Sequence, residues 1–354
     1  MQTKLGVIEG FYGKLYQESS RNELISLLEN KYSYYIYAPK NDSSLRVNWK
    51  SPFTDDKLSF FKRLQSYCLA HNFEFGIGIS PLSITQNLDE NYQILEQKVV
   101  ELVKECKVSI IAILFDDIKL YTQDEGNYQK QIVNRLYQRV QKLDSKIRLI
   151  FCPTYYSFDP ILDKIFGAKP QDYFSQIVDG LHENIEIFWT GNKVLSKSIE
   201  KADIENINQK LKRKVTLWDN YPVNDGKNLW QKLFTKPFVS RTNLKDVVKS
   251  HAVNPMCECV LSSVAMESLY QIYQGASQAT LKSTRKNMLK QLLGEDEKLL
   301  LLLDLLNDEG KEKLQATDKE YLLKLLSGVK SKAASELIEY LNDYYKFDPQ
   351  CLTS

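Results

Sequence analysis

The chain has 354 residues, enough to bury one large core plus a smaller appendage, and its 47 Lys and Arg against 45 Asp and Glu leave a formal net charge of +2. That balance implies no polyelectrolyte partner, and the basic residues are scattered rather than gathered in a tract with interleaved aromatics, so a nucleic-acid binder is not expected. Six irregularly spaced cysteines match no disulfide or zinc framework, and three histidines in the whole chain argue against a His-based metal site. No metal or cofactor is therefore expected.

From the N-terminus, Met1-Gln2-Thr3-Lys4-Leu5 passes directly into an apolar run with no signal-peptide core, and no later run approaches membrane-spanning length. The expectation is a cytoplasmic protein with reduced thiols and no membrane contact. Short apolar runs then recur, each followed by a polar or glycine-bearing turn and a helical pattern. Strands are predicted at Leu5–Ile8, Ser33–Ala38, Phe73–Ile79, Ser109–Phe115, Arg148–Cys152, Ile185–Trp189, Val215–Trp218 and, least clearly, Ser250–Val253. Amphipathic segments lie between most of them, at Arg21–Glu29, Asp56–His71, Asn87–Cys106, Asn127–Leu143 and Ser198–Leu211. This alternation matches a (β/α)8 TIM barrel in length and order. An open doubly wound sheet fits less well, because no Gly-x-Gly-x-x-Gly turn follows the first strand.

After about Met266 the strand pattern stops, and Leu, Lys and Glu carry helical periods to about Tyr345. The expected division is a catalytic barrel over residues 1–265 and a small all-α C-terminal domain over 266–354. Thr317-Asp318-Lys319-Glu320 reads as a capping box. Leu299–Leu303 with Leu305 and Leu306 is apolar around most of a helix, so it must be buried on more than one side, within the chain or in a homodimer through these helices.

The pair Asp116-Asp117 ends the most apolar strand, Ser109-Ile-Ile-Ala-Ile-Leu-Phe115. Two adjacent carboxylates there are costly without a use, and this end of barrel strands is where active sites are built. Two neighbouring acids can also reach the ~5 Å separation of retaining glycoside chemistry, so the pair points to a sugar-cleaving site. Other polar and aromatic groups fall at the same ends: Gly-Val-Ile-Glu-Gly-Phe-Tyr-Gly (6–13), Tyr-Ala-Pro-Lys (37–40), Cys-Pro-Thr-Tyr-Tyr (152–156), Trp-Thr-Gly (189–191), Trp-Asp-Asn-Tyr-Pro-Val-Asn-Asp (218–225) and Asn254. Aromatic faces stack on sugars while acids and amides bond their hydroxyls.

Those motifs, with Phe-Asp-Asp-Ile (115–118), occur in the order found in glycoside hydrolase family 84, the β-N-acetylglucosaminidases, which this chain resembles over about residues 5 to 260. The resemblance implies retaining, exo-acting removal of terminal β-GlcNAc. The acetamido carbonyl of the sugar would attack its own anomeric carbon to form an oxazoline, which water reopens. Asp116 would hold the acetamido N–H, and Asp117 would protonate the leaving oxygen and then deprotonate the water. Tyr156 would border the acetamido group, with Tyr155 its competitor for that position, and Trp218 would wall the pocket. Asn220 would orient the reacting groups, while Asp225, Asn254 and Lys40 would bond ring hydroxyls. Gly10 would offer a carbonyl and leave room for the ring, or else supply a positive-φ turn. Glu9 and Trp189 are assigned to scaffold, and Cys152 to packing beneath the pocket.

Two departures from the family pattern stand out. Lys14-Leu15-Tyr16 follows Gly-Phe-Tyr-Gly where a basic residue, Pro and Trp are common, and Asn41-Asp42 stands where an acidic pair is usual. The expected substrate is β-GlcNAc on protein Ser or Thr. The alternatives are a β-hexosaminidase acting on free GlcNAc-containing oligosaccharides and a non-catalytic GlcNAc-binding barrel.

Overall fold

The computed structural model describes residues 3–119 and 122–353. Met1 and Gln2 of the expected leaderless start lie outside them. Strands β1 (Lys4–Glu9), β2 (Tyr34–Tyr37), β3 (Glu74–Ile79), β4 (Ile110–Leu114), β5 (Arg148–Cys152), β6 (Glu186–Trp189), β7 (Thr216–Asp219) and β8 (Ser250–Val253) pair in parallel and in chain order, and β8 closes on β1. Leu5 lies opposite His251 and Val7 opposite Val253 in that closing register. Every residue of β4 is buried, as a strand covered on both faces requires. The (β/α)8 barrel expected from the sequence is the fold, and the least clear strand, β8, sits where predicted.

Between the strands run α1 (Glu18–Leu27), α2 (Asp55–Ala70), α3 (Leu88–Cys106), α4 (Glu125–Gln141), α5 (Pro160–Phe166), α6 (Tyr173–Val178) and α7 (Lys201–Leu211). The short pair α5 and α6 was not anticipated, because neither is long enough to show an apolar period. Pro160 starts α5 behind Asp159, whose side chain accepts from the Ile161 N–H. No helix joins β7 to β8; residues 220–249 form an irregular connection instead. It is pinned by Arg241, whose Nε and Nη2 donate to Asp219 at 2.9 and 3.0 Å. Burial alone would raise the Asp219 carboxyl, but Arg241 and His251 hold it well below the usual carboxylate range.

The C-terminal region contains α8 (Ser262–Tyr273), α9 (Gln278–Leu293), α10 (Glu297–Asp308), α11 (Ala316–Leu326) and α12 (Lys332–Leu341). The change of texture at Met266 falls inside α8. Met266 and Leu269 pack with the barrel core, whereas Val260, Leu261 and Val264 join a second core with Leu289, Leu303, Leu322 and Leu337. The leucine run of α10 is accounted for largely within the chain: Leu299, Leu302, Leu303 and Leu306 are buried, and Leu301 faces out. Glu336 of α12 accepts from the backbone N–H groups of Val260 and Leu261 at the start of α8. Its burial pushes that carboxyl up to about 8.

The capping box expected at Thr317–Glu320 is not formed. Helix α11 begins two residues earlier, at Ala316 with Gln315 as N-cap, and the Gln315 carbonyl accepts from the Asp318 and Lys319 N–H groups. A capping box does occur at α7, between Glu200 and Asp203. Among the described residues, no helix is long and apolar enough to cross a membrane.

Candidate active site

At the C-terminal rim of the barrel a cavity of about 40 Å3 is lined from every strand end except that of β3. All nine residues predicted for the site border it: Gly10, Lys40, Asp116, Asp117, Tyr156, Trp218, Asn220, Asp225 and Asn254. Cys152, assigned to packing, lies among the lining residues, and burial drives its thiol pKa well up.

The acidic pair is shaped by the chain just past β4. Phe115 extends the sheet by one further bond to the Cys152 carbonyl at 2.8 Å, and Asp117 then adopts φ 57°. Successive side chains on a strand point to opposite faces. The left-handed turn, which Asp tolerates better than most residues, lets both carboxylates reach one cavity.

Their environments differ. Lys40 is buried, not solvated, and its Nζ forms an ion pair with Asp116 Oδ2 beneath the Trp218 ring, 5.6 Å from the ring centroid. The other oxygen, Asp116 Oδ1, is buried with no hydrogen-bond partner among the described residues. Asp117 receives the Tyr12 hydroxyl on Oδ2 and the Tyr156 hydroxyl on Oδ1, each at 3.1 Å. Burial and then the Asp116 charge push the Asp117 carboxyl up, against the opposing pull of Lys40, Arg46 and the Tyr12 bond. Two adjacent acids are thus separated into one held by a cation and one biased towards its protonated form.

The turn after β5 sends the two tyrosines in different directions. Tyr155 directs its hydroxyl to the Gly167 carbonyl, away from the acids, while Tyr156 faces Asp117. Thr190 steadies this turn by donating its backbone N–H to the Tyr156 carbonyl at 3.0 Å.

Opposite the acids, Trp218 Nε1 and Asn254 Nδ2 both donate to Asn220 Oδ1 at 2.9 Å, and Asn220 Nδ2 donates to the Val194 carbonyl. Asn254 Oδ1 in turn accepts from the Gly10 N–H at 3.2 Å. Gly10 is not among the positive-φ glycines, so the turn explanation falls. A Cβ there would lie 2.3 Å from the Trp218 indole, and glycine is needed for that close approach. Asp225 accepts from the Tyr12 N–H at 2.7 Å, and burial pushes its carboxyl up to about 6. Glu9 is scaffold, as assigned: it takes two bonds from Arg21 at 2.9 Å and one from the Tyr35 hydroxyl at 2.7 Å. Trp189 is fully buried against Phe158 and Phe174.

Four contributors had no role assigned from the sequence. Tyr12 lay within a quoted motif and was passed over. Arg46 donates to the Asp117 carbonyl at 3.1 Å from an irregular loop with no period to mark it. Cys351 and Thr353 line the cavity from the far end of the chain.

A parallel (β/α)8 barrel whose strand ends gather an acid pair, hydroxyl donors, amides and an indole wall around one small cavity carries the groups that acid-pair glycoside chemistry uses. Comparison with known proteins makes this specific. The β-N-acetylglucosaminidase family model matches residues 5–304, and the chain belongs to that family of glycoside hydrolases, which act on terminal GlcNAc. It is 29% identical over 327 residues to the protein O-GlcNAcases of Rattus norvegicus and Mus musculus, covering 89% of this chain and 34% of theirs. The chain thus spans about a third of the length of the curated relatives it matches. A mutant of the Thermobaculum terrenum O-GlcNAc hydrolase superposes with a TM-score of 0.80 at 27% identity, covering 96% of this chain and 80% of that one.

Proposed function

We propose that the chain is a retaining exo-β-N-acetylglucosaminidase that works by substrate assistance and releases GlcNAc from Ser or Thr of proteins. The observation that carries this reading is the buried Asp116 Oδ1, without a hydrogen-bond partner among the described residues, beside an Oδ2 neutralised by Lys40. A buried acceptor without a donor costs about 1–3 kcal/mol, and an acetamido N–H would satisfy it on binding.

Asp116 would then take the acetamido N–H and offset the positive charge that develops as the carbonyl oxygen attacks the anomeric carbon. As that C–O bond forms and the glycosidic bond breaks, the Asp117 proton goes to the leaving oxygen. In the second half, Asp117 takes a proton from water as its oxygen bonds the anomeric carbon and the oxazoline reopens. Attack from opposite faces in the two steps retains configuration. Tyr156 and Tyr12 hold Asp117 in place, and Tyr156 borders the acetamido group. Trp218 forms the wall, oriented through Asn220. Lys40, Asp225 and Asn254 are the groups for ring hydroxyls, and Gly10 leaves the ring its space.

A cytoplasmic site of action is consistent with Cys68, Cys106, Cys152, Cys257 and Cys259, which are buried thiols suited to a reducing compartment. For self-association through the C-terminal helices, α10 offers the exposed Leu301.

The protein aglycone is tested by competition between a GlcNAc-serine peptide and a chito-oligosaccharide of β-linked GlcNAc. A higher kcat/KM for the peptide is expected. Preference for the chito-oligosaccharide would move the reading to a hexosaminidase of free sugars.

A further inference from the structure

The cavity between the acids and Trp218 is about 40 Å3, roughly the share of one water molecule, whereas pockets that enclose small ligands run to about 300–1,000 Å3. Part of the reason lies at the far end of the chain. Beyond α12 the segment 346–353 returns over the strand ends and places Cys351 and Thr353 among the lining residues. Thr353 lines the same cavity as Tyr156, whose hydroxyl donates to Asp117 Oδ1. A threonine side chain therefore shares the cavity with the tyrosine that meets the proposed proton donor.

The segment is anchored at named points. Asp348 accepts from Asn41 Nδ2 at 2.6 Å at an exposed position, and the Phe347 ring lies 6.2 Å from that of Trp230. Just upstream, the Lys14 ammonium sits 5.1 Å from the Tyr344 ring centroid. Asn41 and the Lys14 turn belong to the two stretches where this sequence departs from the family pattern. An acid at position 41 would face Asp348 with like charge, whereas the amide donates to it. None of the segment from 346 to 353 is fully buried.

We propose that residues 346–353 are an intramolecular competitor for the polypeptide part of the substrate, a displaceable strap that seats a threonine where a glycosylated Ser or Thr would enter. This rests on the protein-aglycone reading above. The segment turns at Asp348, whose carbonyl accepts from the Cys351 N–H at 3.0 Å, and the turn carries Thr353 to the cavity. A substrate must displace the strap, and the apparent affinity is reduced by the fraction of molecules that are open.

Two variants test this with an aryl β-GlcNAc substrate: deletion of residues 346–354, and Asn41→Asp, which sets like charges against each other at the Asp348 anchor. Neither alters a group assigned to chemistry. The strap predicts that KM falls in both with kcat retained, by about tenfold in the deletion if the open form is roughly a tenth of the population. A synthetic peptide of residues 346–354 should raise KM of the deletion variant again without lowering kcat. An unchanged or raised KM in both variants would overturn the proposal and make the segment a fixed wall of the pocket. If no form of the protein hydrolyses the substrate, the enzymatic reading fails by itself. The strap is then judged by GlcNAc binding in a calorimeter: tighter binding to the deletion variant supports it, and equal binding overturns it.

Discussion

Asp117→Asn is expected to lower kcat/KM for a GlcNAc-serine peptide by about 10²–10⁴-fold, the usual contribution of a positioned general acid. An alkoxide of serine is a poor leaving group and needs its proton as the bond breaks. A nitrophenolate does not, so the first step with nitrophenyl β-GlcNAc should suffer far less, and the peptide-to-aryl ratio is the diagnostic quantity. The wild-type profile carries a related signature. Burial and the Asp116 charge raise the Asp117 pKa, which extends upward the pH range over which the protonated acid is present. Activity on the peptide should fall as pH rises through that raised value, and the variant should lose this alkaline limb. Equal losses on both substrates would remove Asp117 from the acid role. The two tyrosine hydroxyls that meet its oxygens would leave an asparagine well placed, so a folded variant is expected.

Asp116→Asn is expected to act differently. An amide can still accept a hydrogen bond but no longer opposes the charge that builds on the acetamido group. Loss of such an electrostatic partner costs about 10²–10³-fold in kcat. The loss should be of similar size for peptide and nitrophenyl substrates, because it falls on ring closure and not on departure of the aglycone. The variant also strands the Lys40 ammonium, whose side chain is 2% exposed, without its anion. Breaking a buried ion pair by removing one partner costs up to about 3–5 kcal/mol, so the melting temperature should drop as well. A variant with the wild-type rate on both substrates would exclude Asp116 from the reacting centre.

How far the site could be foreseen follows from where its residues lie. The barrel strands were legible because parallel strands covered on both faces are continuous apolar runs, and β5 and β8 begin and end where the pattern placed them. Residues that follow such runs directly, among them Lys40, Asp116, Trp218 and Asn254, inherit their position from the strand. Tyr156 against Tyr155 was a question of one residue in a turn, which the resemblance favoured and the Gly167 bond to Tyr155 explains. The N-cap of helix α11 lies two residues before the start of the predicted capping box, at Gln315, whose side chain makes no cap bond and so leaves no mark in the sequence.

What could not be read was set by long-range contact. Arg46 reaches Asp117 from an irregular loop, and Thr353 shares the cavity with Tyr156 across nearly two hundred residues of sequence. Neither carries a period, a spacing or a charge run. Lys40 was expected as a contact for a ring hydroxyl, and the structure adds its pairing with Asp116, which depends on two strand ends being brought together by closure of the barrel.

The central claim is that the acetamido group of the sugar is the nucleophile. The measurement that meets it most directly is kcat/KM for nitrophenyl β-GlcNAc substrates whose acetyl methyl carries successively more fluorine. Fluorine withdraws electrons from the carbonyl oxygen and weakens its attack while leaving the aglycone unchanged. The account predicts a steep fall along the series, to near loss of turnover at the trifluoroacetyl compound. A flat series would contradict it and assign the nucleophile to the protein.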